Sequence, residues 1–377
     1  MMMFWKRACA FLVFAALLIG MAAAEEDHVP VVVITPEPPQ EEMDQPAAAE
    51  TPVITAAPAI TETPAPTPEK TETPAPTPEA TETPAPTAQP DVIMWYEPEW
   101  YDEATGRMDL TGLKGVNLPA LKVLLCQVPG LTYADLSYSV LSNEELAELR
   151  DYMAERGVKI VWTLTMRYGY SVRTDDWVFS TRHSSKDPRL EDEDVACLRY
   201  ATELRALDLG HNWLHDSSFL EPMNELRVLI LSDNKLSDLS CLKGKPLEYL
   251  EIFNNHVEDL SFLEGCDTLM DLNICTTWVS DLSPLDHLKG LKRLWVGDGT
   301  RVSYAERKRF LALQGDNLEE YDFYTDIPTL YGWRGDENGP GHPHYEIIKA
   351  MFKEGVYYDF DTVLRPDQYV YLYKKKQ

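Results

Sequence analysis

Between Leu204 and Val302 the apolar positions recur at an interval of 21 or 22 residues. Five copies read Leu204-x-x-Leu207-x-Leu209-x-x-Asn212-x-Leu214, Leu226-x-x-Leu229-x-Leu231-x-x-Asn234-x-Leu236, Leu247-x-x-Leu250-x-Ile252-x-x-Asn255-x-Val257, Leu269-x-x-Leu272-x-Ile274-x-x-Thr277-x-Val279 and Leu291-x-x-Leu294-x-Val296-x-x-Gly299-x-Val302, the last with one extra residue. The two central apolar residues of each copy are two apart, the spacing of side chains on one face of a strand. One copy cannot bury its own apolar residues, so neighbours have to stack, and a period of this length predicts a solenoid. Each buried Leu, Ile or Val contributes about 1.5–3 kcal/mol. The Asn at the strand exit can satisfy turn N–H and C=O groups through its amide. Asn212, Asn234 and Asn255 therefore predict a ladder. Thr277 can supply part of that bonding and Gly299 none, so the ladder is expected to fade towards the C-terminal end.

The segments that follow each strand are short. Leu236-Ser-Asp-Leu-Ser-Cys-Leu242, Val257-Glu-Asp-Leu-Ser-Phe-Leu263 and Val279-Ser-Asp-Leu-Ser-Pro-Leu285 share one form, and Leu214-His-Asp-Ser-Ser-Phe-Leu220 is a variant of it. They leave room on the convex side for a tight turn or one 3-10 turn, not a full helix. With the strand pattern, these segments resemble leucine-rich repeat proteins, in particular the short-repeat subclass of internalin-like bacterial surface proteins. The resemblance covers residues 196–302 strongly and 131–195 weakly. It implies an α/β solenoid with short parallel strands on the concave face, terminal caps and a binding role, and it names no ligand.

Outside the repeats, four regions are expected. Residues 1–24 read as a secretory signal peptide: Lys6 and Arg7, an apolar run from Ala8 to Met21, and Ala22-Ala23-Ala24 before Glu25. The alternative is an uncleaved anchor, since the stretch from Ala8 through Ala24, about 17 residues, is at the lower limit for spanning a bilayer. Residues 25–90 are rich in Pro, Thr and Glu, with near-identical decapeptides starting at Thr61, Thr71 and Thr81. Such composition favours extended polyproline II over packing, a disordered spacer. Residues 91–195 read as an N-terminal cap with atypical helical repeats. Trp95, Tyr96, Trp100 and Tyr101 would cover the open end. Leu131–Leu136 would form a first strand, Ser142 and Glu145 a capping box before a helix, and Val158–Thr165 the next strand. Residues 166–190 read as a polar loop, followed by a helix over Glu191–Ala201. After the repeats of 196–302, residues 303–377 read as a C-terminal cap. It has a second capping box at Ser303 and Glu306, a helix over Arg307–Leu313, a strand over Leu318–Phe323 and a helix over Tyr345–Lys353.

Composition narrows the function more than it names it. The chain has 34 basic and 62 acidic residues, a net charge of −28. That disfavours nucleic acid and anionic lipid as partners. Cys126, Cys197, Cys241, Cys266 and Cys275 follow the signal segment, an odd count without metal-site spacing, so no disulfide framework is expected. Cys9 lacks the flanking residues of a lipidation site. His342-Pro-His344-Tyr-Glu346 carries metal-binding residue types without a metal-binding spacing. Asp336-x-Asn338-Gly339 lacks the remaining oxygen ligands of a calcium loop. No nucleophile, zinc, phosphate or dinucleotide motif is present, and no cofactor is expected.

The functional expectation rests on the residues between the inward-facing ones, which point to the concave side. There Val228, Ile230, Tyr249, Phe253 and Trp295 are apolar or aromatic where the repeat does not require it, with Asp208, Glu251, Asp271, Asn273 and Arg293 among them. Exposed aromatics on such a face are typical interface anchors. The expected function is extracellular, non-enzymatic binding of a protein or glycan, with a membrane contact only if the signal segment stays uncleaved. The alternatives are a structural surface- or wall-associated repeat protein without a specific ligand, and an enzyme with its site in the C-terminal region. The alternative for the concave face itself is that the cap residues fold over and bury it.

Overall fold

The computed structural model describes residues 95–181, 188–297, 299–326, 328–329, 332–335 and 341–358. The expected signal segment and Pro/Thr-rich spacer lie outside these residues, as does Asp336-x-Asn338-Gly339. Among the described residues no helix is long and apolar enough to cross a membrane.

After a 3-10 turn over Pro98–Trp100, the first strands among the described residues are an antiparallel pair, β1 (Tyr101–Asp102) and β2 (Arg107–Asp109), continued in parallel through β3 (Tyr133–Asp135) and β4 (Lys159–Val161). Trp95, Tyr96, Trp100 and Tyr101 pack against the core at this end, and the Trp95 indole N–H donates to Leu124 O at 3.2 Å. Helix α1 (Leu118–Leu125) opens on Asn117, whose side chain caps Ala120 N. Helix α2 (Asn143–Ala154) opens on the expected capping box, with both halves formed by Ser142 and Glu145. Leu146, Leu149 and Met153 are its buried stripe. The strand expected over Val158–Thr165 is divided: β4 ends at Val161, and β5 (Thr163–Thr165) turns back to pair with β6 (Ser171–Arg173) in an antiparallel hairpin.

The expectation of a loop over 166–190 is thus corrected. That stretch holds β6 and also β7 (Val178–Ser180), which is the first strand of the main sheet. Only Val178 and Phe179 are apolar in β7, too few to show a period. Next come α3 (Asp192–Val195) and a 3-10 turn over Ala196–Tyr200. The regular strands are β8 (Ala206–Asp208), β9 (Val228–Ile230), β10 (Tyr249–Glu251), β11 (Asp271–Asn273) and β12 (Arg293–Trp295). After α4 (Tyr304–Gln314), β13 (Glu320–Asp322) completes a seven-stranded sheet in chain order from β7 to β13. Every pair in it is parallel, and Leu207, Leu229, Leu250, Leu272 and Leu294 stand in one register. This is a leucine-rich repeat solenoid.

The ladder forms as its residues dictate. Asn234 Oδ1 accepts from Leu214 N at 3.0 Å, and its Nδ2 donates to Leu209 O at 3.0 Å and Leu231 O at 2.9 Å. Asn212 and Asn255 likewise accept from Leu190 N and Leu236 N of the coil before them; Asn255 Nδ2 also donates back to Leu231 O, whereas Asn212 Nδ2 donates within its own coil to Leu209 O. Thr277 retains one bond, from Oγ1 to Ile274 O at 2.7 Å. At Gly299 a Cβ would sit 2.8 Å from Thr276 Cα, so packing as well as sequence ends the ladder there. On the convex side, 3-10 turns begin at Ser218, Ser240, Ser261 and Ser283. Each serine N–H is accepted, at 2.8 Å, by the aspartate two residues earlier. The repeated Asp-x-Ser is therefore the device that starts each turn.

Candidate functional site

Residues flanking the register leucines project from the other face of the sheet, as expected. That face is not open. A second apolar cluster sits on it, made of Val178, Ala206, Val228, Ile230, Tyr249, Phe253, Cys275 and Trp295 from the sheet with Trp333, Ile347, Ile348 and Met351 from the C-terminal region. Helix α5 (Pro343–Glu354) supplies the last three of these; the sequence expectation of a helix over Tyr345–Lys353 lies within it. Its apolar positions 347, 348 and 351 fall on one side of the helix.

The expected exposure of the concave residues is therefore corrected. Val228, Ile230, Tyr249, Glu251, Phe253, Asp271, Asn273, Arg293 and Trp295 are all buried, and Asp208 is half-buried. The physical reason is that five large apolar or aromatic side chains on one face expose more surface than water tolerates, and the chain covers them itself.

The contacts are specific. Trp333, 0% exposed, lies with its ring 5.3 Å from that of Tyr249 and 5.3 Å from that of Trp295. Arg334 Nε donates to Glu251 Oε1 at 2.9 Å, and the same oxygen takes a second bond from its Nη2. Glu251 Oε2 accepts from the Tyr249 hydroxyl at 3.1 Å. Arg293 donates to Gly332 O and Trp333 O, both at 2.9 Å, to Asp271 Oδ2 at 2.8 Å and to Glu320 Oε2 at 3.1 Å. Asn273 Nδ2 donates to Pro328 O at 2.8 Å. At the start of α5, His344 Nδ1 lies 2.6 Å from Asp271 Oδ2, and His342 Nε2 lies 3.5 Å from Glu320 Oε2.

The electrostatics follow from burial and these pairs. Burial alone would raise the Asp271 carboxyl, but His344 and Arg293 outweigh it and hold it below the ordinary range. Glu320 is held down to about 2, first by the hydrogen bond from His342. His342 is itself pushed below its ordinary value by burial and by the Arg293 charge, which outweigh the pull of Glu320. Burial raises the Tyr249 hydroxyl well above its usual range. Asp208 still meets solvent on one side, yet the protein packed around its carboxyl pushes it up.

Sequence reasoning missed Trp333 and Arg334, the residues that fill the face. They sit in a Gly-rich loop without periodicity, and the one signal for them was the unexplained aromatic content of the face they cover. Among the described residues no group of three His, Cys, Asp or Glu is arranged to hold a metal ion. His342 and His344 bind carboxylates of the sheet instead.

No protein-family profile matches the chain. No curated protein sequence matches it either. Among solved structures, it superposes on an internalin from Listeria monocytogenes at 21% identity over 60% of this chain and 71% of that one, with a TM-score of 0.37. A second internalin from that organism aligns at 20% identity over 58% and 80%, with a TM-score of 0.34. A leucine-rich repeat protein of Leptospira interrogans aligns at 20% identity over 56% and 52%, with a TM-score of 0.33.

Proposed function

We propose that this chain is an exported, non-enzymatic binding protein that holds a protein partner on the concave face of its solenoid. The observation that carries the reading is the bonding of Arg293 to two consecutive main-chain carbonyls, Gly332 O and Trp333 O. A guanidinium presents several donors in a rigid fork, and here that fork reads polypeptide backbone. With the indole slot of Tyr249 and Trp295 and the buried Glu251 beside it, the face has the parts of a peptide-binding groove. This favours a protein over a glycan. The signal-like N-terminus and the Pro/Thr spacer favour export, with the folded part held away from its point of attachment.

A second reading, a structural surface protein without a ligand, draws support from the completeness with which α5 and Trp333 fill the face. The two separate on protein and glycan arrays probed with the exported chain and with Glu251→Gln, a change that preserves shape while removing the charge. Protein hits that weaken in the variant support the binding reading. Retention of nothing on either array, by a chain whose circular dichroism shows it folded, leaves the structural reading.

A further inference from the structure

The occupant of the groove describes the chemistry of what the groove takes. We propose, resting on the protein-binding reading above, that the face of β10–β12 recognises a polypeptide element in which glycine and an aromatic residue precede arginine, and that Gly332-Trp333-Arg334 stands in for that element of a partner protein. Each position has its own recognition feature. At Gly332 the backbone has φ +100°, and a Cβ would lie 3.4 Å from the Trp295 ring, so glycine fits here and a larger residue does so with strain. At the next position an indole is held between the rings of Tyr249 and Trp295. At the third, the fully buried Glu251 requires a cation that reaches it, and the guanidinium of Arg334 supplies two bonds to one oxygen. Arg293 fixes the main chain between these anchors and selects no side chain, so the specificity lies in the indole slot and Glu251.

A second observation separates this groove from an ordinary cap contact. Asp271 Oδ1, Trp295 Nε1 and Trp333 Nε1 are buried polar atoms with no hydrogen-bond partner among the described residues. Two of them, Asp271 Oδ1 and Trp295 Nε1, belong to the sheet. A buried donor or acceptor left unmade is costly, so the chain's own segment fits the groove's shape better than its hydrogen bonding. An external element that supplied a donor to Asp271 and an acceptor to Trp295 would fit both.

The test uses the full chain and a synthetic peptide with the sequence of residues 329–336, Thr-Leu-Tyr-Gly-Trp-Arg-Gly-Asp. Trp333→Ala combined with Arg334→Ala removes the indole from its slot and the guanidinium from Glu251. This variant is expected to bind the peptide at least about tenfold more tightly than the wild-type chain does, and about tenfold more tightly than peptides with Trp changed to Ala or Arg changed to Gln. Adding Glu251→Gln should abolish the preference for Arg and leave the preference for Trp. A folded double variant that binds none of the peptides, or all of them equally, overturns the proposal. Should the double variant not fold, Arg334→Gln keeps the indole slot filled. Excess peptide must then increase hydrogen exchange in residues 343–354 of that variant, and unchanged exchange overturns the proposal. A protein hit on the arrays that survives Glu251→Gln would leave partner binding standing while refuting this groove as its site.

Discussion

Arg293 on β12 lies 2.8 Å from Asp271 on β11, and both side chains are buried. The pair ties adjacent coils of the sheet to the segment that lies on them. Removing one partner of a buried pair leaves a charge without compensation, at a cost of about 3–5 kcal/mol. Arg293→Leu is therefore expected to lower the unfolding free energy measured in urea by that amount, and Arg293→Leu with Asp271→Leu to lower it by less. A double variant no better than the single one would show that Asp271 owes its burial to His344 instead.

Ladder strength should follow ladder chemistry. Asn234→Ala removes an acceptor for Leu214 N and donors for Leu209 O and Leu231 O, all buried. Leu209 O and Leu231 O keep donors from Asn212 and Asn255, so Leu214 N is the group left unsatisfied and a loss of about 1–3 kcal/mol is expected. Thr277→Ala, which loses one bond to Ile274 O, should cost less. Equal losses in equilibrium unfolding would contradict the account of the ladder given by the bonds.

Gly299→Asn restores the repeat motif on paper and should harm the protein. Its Cβ would lie 2.8 Å from Thr276 Cα and 2.9 Å from Thr276 Oγ1. Overpacking of this kind costs roughly 1–3 kcal/mol. A raised melting temperature would show that the coil can shift to accept the side chain.

Acid should loosen the C-terminal segment, and the signs agree. His342 has a folded value depressed from 6.5, so its contribution is full above that pH and falls as pH drops through the folded value. Glu320, lowered from 4.5 to about 2, contributes above its ordinary value and loses that contribution between the two. Asp271, lowered from 3.8, acts in the same direction. The charged and titratable groups facing His342 are Glu320 from β13, Arg293 from β12 and the imidazole of His344 on its own helix. Tryptophan emission followed against pH should therefore shift in two stages, and His342→Gln should remove the stage nearer neutrality. Identical curves for the two proteins would show that His342 plays no part.

The described cysteines are unpaired thiols, at positions 126, 197, 241, 266 and 275. Burial pushes Cys197 up to about 11 and raises Cys241, Cys266 and Cys275 as well. Among these five, exposed Cys126 should react first with a thiol reagent in the folded protein, half-buried Cys197 and Cys241 more slowly, and buried Cys266 and Cys275 only after unfolding. Rapid native labelling of Cys275 would mean that the concave face opens readily.

The coils were legible because a solenoid repeats its constraint. Leu207, Leu229, Leu250, Leu272 and Leu294 occupy one environment five times, and each copy corroborates the others. The strand β7 was not, since a three-residue strand without its repeat carries no period. The second capping box formed by half: Ser303 caps Glu306 N, but the Glu306 side chain accepts from Leu282 N and pairs with Arg309. Tertiary partners decided that, and no local pattern records them. For the concave face the sequence located the residues and expected them exposed; the alternative, that cap residues fold over and bury them, is the arrangement found. Tyr249 and Trp295 had to be buried by something, and an indole from residue 333 of the same chain is chemically the same as one from a partner.

Because Trp333 is joined to the sheet it rests on, its rival is never a free peptide at equal footing. A tether of this kind acts as an effective concentration, on the order of millimolar for short flexible connections. Any external element meets a groove that is open for only a fraction of the time, and its apparent affinity is weakened by that fraction. The covered face thus sets a threshold. On the binding function proposed above, dilute and weakly matched peptides would be turned away, and a partner would engage once its own affinity, or its local density, exceeds what the attached segment supplies.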